Sequence, residues 1–231
     1  MVLPGFDTSV WYQPHIGPRL APCIERVCTD WSCIPTQGLR AHLQRIRNQA
    51  WPLGEYPCIG LWMFLLPGLA GFPQFESIVA RARQPQSVIQ MRAVDVVPRL
   101  WELGFELFRD KDKMHAQFIE GDFLAAAQGK ADVVIALQFL HLFSWERQIA
   151  AAERIVALSK PGTIFAGYQQ GRKQARETMG PWGIMFVQNL ELFMSMWAIV
   201  EEATQTRWTK DARGVELRNC QGIEYVLTRV S

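Results

Sequence analysis

No apolar run in these 231 residues reaches the ~20 needed to span a bilayer: the longest, Ile59 to Leu66, is cut off by Pro67 and Gly68. A membrane-spanning helix is not expected. The opening stretch, MVLPGFDTSVWYQPH, has neither a basic start nor an unbroken apolar segment, so no secretory signal is read there. Excess charge of one sign is also missing. Lys and Arg number 24 against 22 Asp and Glu, a net charge of +2, and no segment gathers the cations that tracking a phosphate backbone requires. Nucleic acid is excluded as an expected partner. The five cysteines, Cys23, Cys28, Cys33, Cys58 and Cys220, are an odd number in a chain too large to depend on disulfide staples. Reduced thiols and a cytoplasmic location follow as expectations. The even spacing of Cys23, Cys28 and Cys33 matches no zinc pattern of paired close ligands, and no histidine follows until His42, so no metal is expected.

What is present is 49% hydrophobic, 20% charged and 11% aromatic residues, the composition of one globular domain. A chain of this length buries roughly 70% of its unfolded surface. Residues 1–36 hold five prolines and no sustained period of 2 or 3.6, which predicts an extended lead-in, or lid, packed over something else. Leu39, Leu43, Ile46 and Ala50 then fall on one helical face, with Thr36 as N-cap and Pro52 as stop. Pro73 opens a second helix with Phe75, Ile78, Val79 and Ala82 on one face, ended by Pro85. Residues 37–85 so read as an N-terminal helical cap.

From residue 86 strands and helices alternate. Ser87 to Val97 is rich in β-branched residues, and Pro98 opens a helix carrying Leu100, Trp101, Leu107 and Phe108. Ala116 to Ile119 is a short strand closing at Gly121-Asp122, and Asp132 to Leu137 is an apolar strand of the kind buried on both faces. Ser144 caps a helix through Leu158 with Ile149, Ala152 and Val156 inward, and Pro161-Gly162 turns into a strand, Thr163 to Gln169. A last helix, Asn189 to Ala203, precedes strand-like runs at Arg207 to Lys210 and Ile223 to Val230. The pattern predicts an α/β, Rossmann-like core over residues 86–231: a mostly parallel sheet, helices on both faces, and a C-terminal antiparallel hairpin.

Six runs carry a resemblance: YPCIG (56–60), LWELGFELFRDKDK (100–113), FIEGDF (118–123), FLHLFSWERQ (139–148), RIVALSKPG (154–162) and GYQQG (167–171). With the outline of the fold, they resemble the methyltransferase-like proteins of fungal meroterpenoid (terpenoid-polyketide) pathways, within the class I S-adenosylmethionine (SAM) methyltransferases. The resemblance covers the chain from about Tyr56 onward. It implies a strand, an acidic glycine-rich turn and a helix before the strand whose terminal acid holds the ribose of SAM. Such a turn lets backbone N–H groups reach the amino-acid end of SAM with no Cβ in the way.

That module is missing. Between Pro85 and Asp95 the chain has no glycine, and nowhere are two glycines separated by one residue. By resemblance Asp95 stands where the ribose-binding acid would be, and Asp122 in FIEGDF where an acid sits by the adenine, both as vestigial cofactor contacts. The lost contacts to the carboxylate and ammonium of SAM are charge-assisted, about 1.5–3 kcal/mol each. Losing two or three weakens affinity by roughly three to six orders of magnitude. The internal consistency of caps, strands and helix faces after Asp95 speaks against a decayed remnant.

The expectation is therefore a methyltransferase-fold enzyme running SAM-independent acid-base chemistry, an aldol, lactonisation or isomerisation, on an apolar terpenoid-polyketide. Its alternatives are a surviving SAM-dependent O-methyltransferase of the same pathway class and a non-catalytic partner of one. His141 follows a buried strand at the carboxyl edge where open α/β sheets bind ligands, so it reads as a general base or as a hydrogen-bonded core histidine. Tyr168, Gln169 and Gln170 follow the next strand, and such groups polarise a carbonyl or hold an oxyanion; otherwise they are a polar strand end. Trp11, Tyr12 and His15 in the lead-in, with Trp145 near the helix start, read as substrate-facing residues, equally as surface packing. Arg147 reads as a carboxylate anchor, and Glu102 and Glu106 as a charge-paired helix face near Arg109 and Lys113. A missing strand and helix would also uncover a sheet edge, from which a homodimer is expected.

Overall fold

Strand and helix alternate as the sequence predicts, in a computed structural model that describes residues 2–65, 75–82, 91–126, 129–217 and 220–231. The helices in chain order are α1 (Pro22–Arg26), α2 (Thr36–Ala50), α3 (Pro57–Gly60), α4 (Phe75–Ala82), α5 (Pro98–Phe108), α6 (Phe123–Ala126), α7 (Trp145–Leu158) and α8 (Leu190–Thr204). The strands are β1 (Met91–Asp95), β2 (Ala116–Glu120), β3 (Ala131–Leu137), β4 (Ser159–Gln170), β5 (Arg176–Gly180), β6 (Gly183–Val187), β7 (Trp208–Leu217) and β8 (Cys220–Arg229). Where length predicts one domain, packing groups the chain into two compact units, Met1–Gly71 with Gln90–Asp122 and Phe72–Ile89 with Phe123–Ser231. The helices α2 and α4, expected together as a cap, fall in different units. Pro73, Pro85 and Ser87 to Gln90, expected to bound α4 and begin β1, lie outside the described residues.

In the first unit α2 buries Leu39, Leu43, Ile46 and Ala50 as its periodicity predicts. These pack against Leu103 and Leu107 of α5, with Cys28, Ile34, Ile59, Trp62 and Leu65. Thr36 is the first helical residue rather than the cap, since Pro35 holds the cap position without a side-chain bond. His42 Nε2 meets Leu107 O at 3.0 Å, tying α2 to α5, and burial pushes its pKa down. On the surface Arg99 pairs with Glu102 and Glu106, and Arg45 with Glu106. The charge-paired face is present, with these arginines in place of Arg109 and Lys113. Trp101 stacks on Phe118 at 5.6 Å, laying α5 over the parallel pair β1-β2. The lead-in departs from expectation. It winds through helical turns at Thr8–Trp11 and Gly17–Arg19, then α1 and a π turn at Val27–Trp31. Pro18 and Pro22 sit at first-turn positions, where a fixed φ and a missing N–H suit a helix start.

In the second unit the four-stranded sheet runs β3-β4-β8-β7, with β3 parallel to β4 and the rest antiparallel. Pairing of β4 with β3 opens at Ser159-Ala131, shifts register over Lys160 to Thr163 and resumes at Ile164-Val133. Gly162 takes φ 86°, which a side chain rarely adopts, and Thr163 Oγ1 bonds Ala131 O at 2.6 Å. Phe165 and Gly167 of β4 share a face with Val134 and Ala136 of β3 and Tyr225 of β8 by register. Against that face pack Ala151, Ala152, Ile155 and Val156 of α7 and Phe193, Met196, Trp197 and Val200 of α8. Ser144 and Asn189 cap these two helices. On α7 Ala152 and Val156 are buried as expected, while Ile149 is only half-buried and Gln148, not expected there, is fully buried. A hairpin, β5-β6, was not legible in the sequence, because neither RETMG nor GIMFV alternates apolar and polar residues.

One strand differs in a consequential way. β3 is not buried on both faces: Ile135 and Leu137 are 52% and 41% exposed. β3 is an edge, paired with β4 alone among the described residues. Likewise β1 pairs with β2 alone among the described residues.

A Cβ built on Gly167 would lie 2.2 Å from Ala136 O and 2.4 Å from the Tyr225 hydroxyl, whereas one on Gly214 would meet nothing within 4 Å. Gly167→Ala is expected to cost about 3 kcal/mol and Gly214→Ala to stay within about 0.5 kcal/mol, read as midpoint shifts in urea unfolding.

Candidate functional site

The carboxyl ends of β3 and β4 form one edge of the second unit. β3 stops at Leu137, and Gln138 takes a left-handed φ of 55°, uncommon for a side-chain-bearing residue, while its N–H donates to Tyr168 O at 2.6 Å. This bend sends the chain into the turn Leu140–Leu142, whose Leu140 anchors in the core. His141 is buried there with its Nδ1 unpartnered, and burial pushes its pKa down to about 4. His141 is therefore neutral throughout the physiological range. As a free imidazole it is a weaker base than the near-neutral group the sequence predicts, since basicity falls with pKa.

On β4 the side chains alternate. Gln169 shares the face of Phe165 and Gly167, toward α7 and α8, while Tyr168 and Gln170 share the opposite face with Glu224 and Gly222. The ring of Tyr168 lies where a Cβ on Gly222 would stand, so glycine makes room for it. Tyr168 and Gln169 thus do not converge on one point from the strand. Gln169 is fully buried, and both its amide atoms lack a partner.

Two further buried amides were missed by sequence reading. Gln148 Nε2 donates to Phe143 O at 3.0 Å and to Phe186 O at 2.6 Å. Gln188 Nε2 donates to Gln148 Oε1 and reaches Met196 Sδ at 3.3 Å, leaving Gln188 Oε1 unpartnered. Their signal was a polar residue on an otherwise apolar helix face, and a glutamine between a strand and an Asn cap. Trp145 packs edge-on to Phe186 at 5.3 Å, so its ring braces the β5-β6 hairpin. Arg147 is exposed, with its guanidinium over Phe143 at 5.3 Å.

In the first unit Asp95 and Asp122 stand at the carboxyl edge of β1-β2, where Gly121 N donates to Asp95 O at 3.0 Å. Both are exposed, and Asp95 Oδ1 accepts from Val97 N at 2.9 Å. Tyr56 and Cys58 of the YPCIG run lie close enough to feel the Asp95 charge. Burial, with a smaller push from Asp95, holds the Cys58 thiol up at about 11, so it is no nucleophile at neutral pH. Tyr12 lies against Arg47 and Trp51, Trp11 follows Val10 in the Thr8–Trp11 turn, and His15 is exposed. The five residues read as catalytic or cofactor-binding separate by unit: Asp95 and Asp122 in one, and His141, Tyr168 and Gln169 in the other.

Residues 11–65 match the model of a meroterpenoid methyltransferase N-terminal domain. An O-methyltransferase from Fungal sp. (strain ATCC 74256) is 26% identical over 89% of this chain and 80% of its own. One from Stereocaulon alpinum is 28% identical over 88% and 68%. The asnovolin E/chermesin D methyltransferase of Aspergillus novofumigatus is 24% identical over 78% and 77%. Among solved structures, the [4+2]-cyclase SpnF superposes with a TM-score of 0.48 at 14% identity, covering 71% of this chain and 73% of that one.

The histidine makes a prediction independent of any reaction. Its folded pKa of about 4 lies below the ordinary 6.5, so the unfolded chain binds the extra proton between those values. Stability should fall as pH drops from 6.5 to 4, by about 3 kcal/mol in all from this group. Thermal melts of His141→Gln should show a shallower acid loss across that window than the parent chain.

Proposed function

We propose that this chain, a relative of the fungal meroterpenoid methyltransferases, catalyses a cofactor-independent ring-forming or ring-rearranging step on an apolar terpenoid-polyketide. The observation that carries the reading is the lack of any glycine between Gly71 and Gly104. No turn there can admit the amino-acid end of SAM to backbone N–H groups. Asp95 and Asp122, together at one strand edge, suit the nucleoside half of SAM; no described residue suits the methionine half.

The chemistry falls to neutral buried groups. His141 takes a proton from carbon beside a substrate carbonyl, and the electron pair moves to the carbonyl oxygen. A negative charge formed nearby favours the imidazolium and raises the basicity of His141 above its free value. The unpartnered Gln169 amide N–H hydrogen-bonds the oxyanion, and Tyr168 lines the opposite face of β4. Attack of the enolate carbon on a second carbonyl of the same substrate opens that C=O π bond to an alkoxide, which takes the proton back from His141 and completes an aldol closure; return of the proton to a different carbon instead completes an isomerisation, and neither needs an oxidant or reductant. Support comes from the burial and open hydrogen-bonding capacity of His141 and Gln169.

A surviving O-methyltransferase is the second reading, favoured by the Asp95-Asp122 edge and by the names of the relatives. Calorimetry separates the two: sub-millimolar binding of SAM or its demethylated product revives it. Purified chain incubated with a pathway intermediate and no SAM should yield an isomeric product. His141→Ala and Gln169→Ala should each slow that turnover by roughly 10²-fold or more, the usual scale for an acid-base or oxyanion group. No turnover without SAM sinks the reading. A homodimer is proposed from the apolar edge of β3; light scattering that gives a strict monomer at micromolar concentration overturns it.

A further inference from the structure

The N-terminal lead-in covers an uncompensated charge. Arg47 of α2 is fully buried, and no Asp or Glu among the described residues lies within ion-pairing distance of it. Its guanidinium is held between two rings, with Tyr12 at 3.9 Å and Trp62 at 4.6 Å from the ring centroids. Nη2 donates to Pro14 O at 3.2 Å and, once the Gln44 amide is turned to suit both groups, to Gln44 as well. Among the described residues Nε and Nη1 have no partner. Burial lowers the pKa of the group, yet a guanidinium stays charged at neutral pH. A buried charge with open N–H donors is costly unless an anion meets it.

The cover over Arg47 is the lead-in itself. Residues 8–16 are held to the helical body by Gln13 N to Gly60 O at 3.1 Å, Trp62 Nε1 to Gln13 O at 3.0 Å, Tyr12 hydroxyl to Asn48 Oδ1 at 3.3 Å, Thr8 Oγ1 to Glu55 and the Arg47-Pro14 bond. Ile16 is anchored in the core of the first unit, whereas Tyr12, edge-on to Trp51 at 5.3 Å, is 37% exposed.

We propose that Arg47, between Tyr12 and Trp62, is the anchor of an oxyanion-binding site roofed by the Thr8 to Ile16 strap, taking a carboxylate or an inorganic oxyanion. The anion lies in the plane of the guanidinium, where Nε and Nη1 are free, so the flanking rings also line its sides and favour a flat carboxylate. The site belongs to the first unit and does not depend on the reaction assigned to the second.

Ligand-detected NMR on the full chain tests this with benzoate against its neutral isostere benzamide, at fixed ionic strength. Benzoate should bind saturably and benzamide at least tenfold more weakly. Arg47→Met should abolish benzoate binding; if that variant does not fold, Arg47→Lys, which keeps the charge, should weaken it at least tenfold. Displacement by acetate identifies an organic acid as the ligand, and displacement by phosphate alone identifies an inorganic one. Equal binding of benzoate and benzamide, no saturable binding of benzoate to the folded chain, or unchanged binding in the Arg47 variants would leave Arg47 a structural pin and overturn the site.

Discussion

The second unit depends on how closely β3, β4 and β8 approach around Gly167. Tyr225 of β8 crosses that glycine to donate from its hydroxyl to Ala136 O at 3.1 Å, so one side chain spans three strands. Its ring stacks on Phe193 at 4.8 Å and lies 5.0 Å from Phe165, joining the sheet to α8. Burial pushes the phenol pKa up, and the group stays a neutral donor. Any side chain at Gly167 would separate these strands. The positions of Gln138, Tyr168 and Gln169, one residue or two beyond this crossing, follow from it.

Elsewhere in both units buried polar atoms are left open. Gln169 is buried with an entire amide unpaired, His141 with one ring nitrogen, and Arg47 in the other unit with two guanidinium nitrogens. Each costs stability that an apolar residue of similar size would not. Folded proteins keep few such groups, and those they keep call for a ligand, a water or a redox or catalytic role. The three differ in charge: Gln169 and His141 are neutral and suit carbonyl and hydroxyl groups, whereas Arg47 is a cation and suits an oxyanion. The same physics thus supports two separate assignments without requiring either to serve the other.

Legibility in the sequence followed the length and regularity of each element. α2, α5, α7 and α8 were readable because apolar residues recur at helical spacing and because Ser144, Pro98 and Asn189 mark their starts. The lead-in was misread because proline serves equally in extended chain and in the first turn of a helix, and only packing against α2 selects the turns. β3 was expected to be covered on both sides because its composition is that of an interior strand; composition reports what a strand can bury, not whether a neighbour is there to bury it. Gln148 and Gln188 were overlooked because an amide inside an apolar face looks like an error until its partners, Phe143 O, Phe186 O and each other, are known.

The order of residues alone determined the alternation of strands and helices, the placing of Asp95, Asp122 and His141 at strand ends, and a stretch without glycine from Gly71 to Gly104. These are local properties, set by side-chain period, capping chemistry and the need for a residue without Cβ. The tertiary structure alone decided that Tyr168 and Gln169 face opposite ways, that His141 is desolvated into neutrality, and that Arg47 is buried with no acid among the described residues within ion-pairing distance. Burial, pKa and hydrogen-bond satisfaction depend on what other segments bring alongside a side chain, and that information is not carried by its neighbours in sequence.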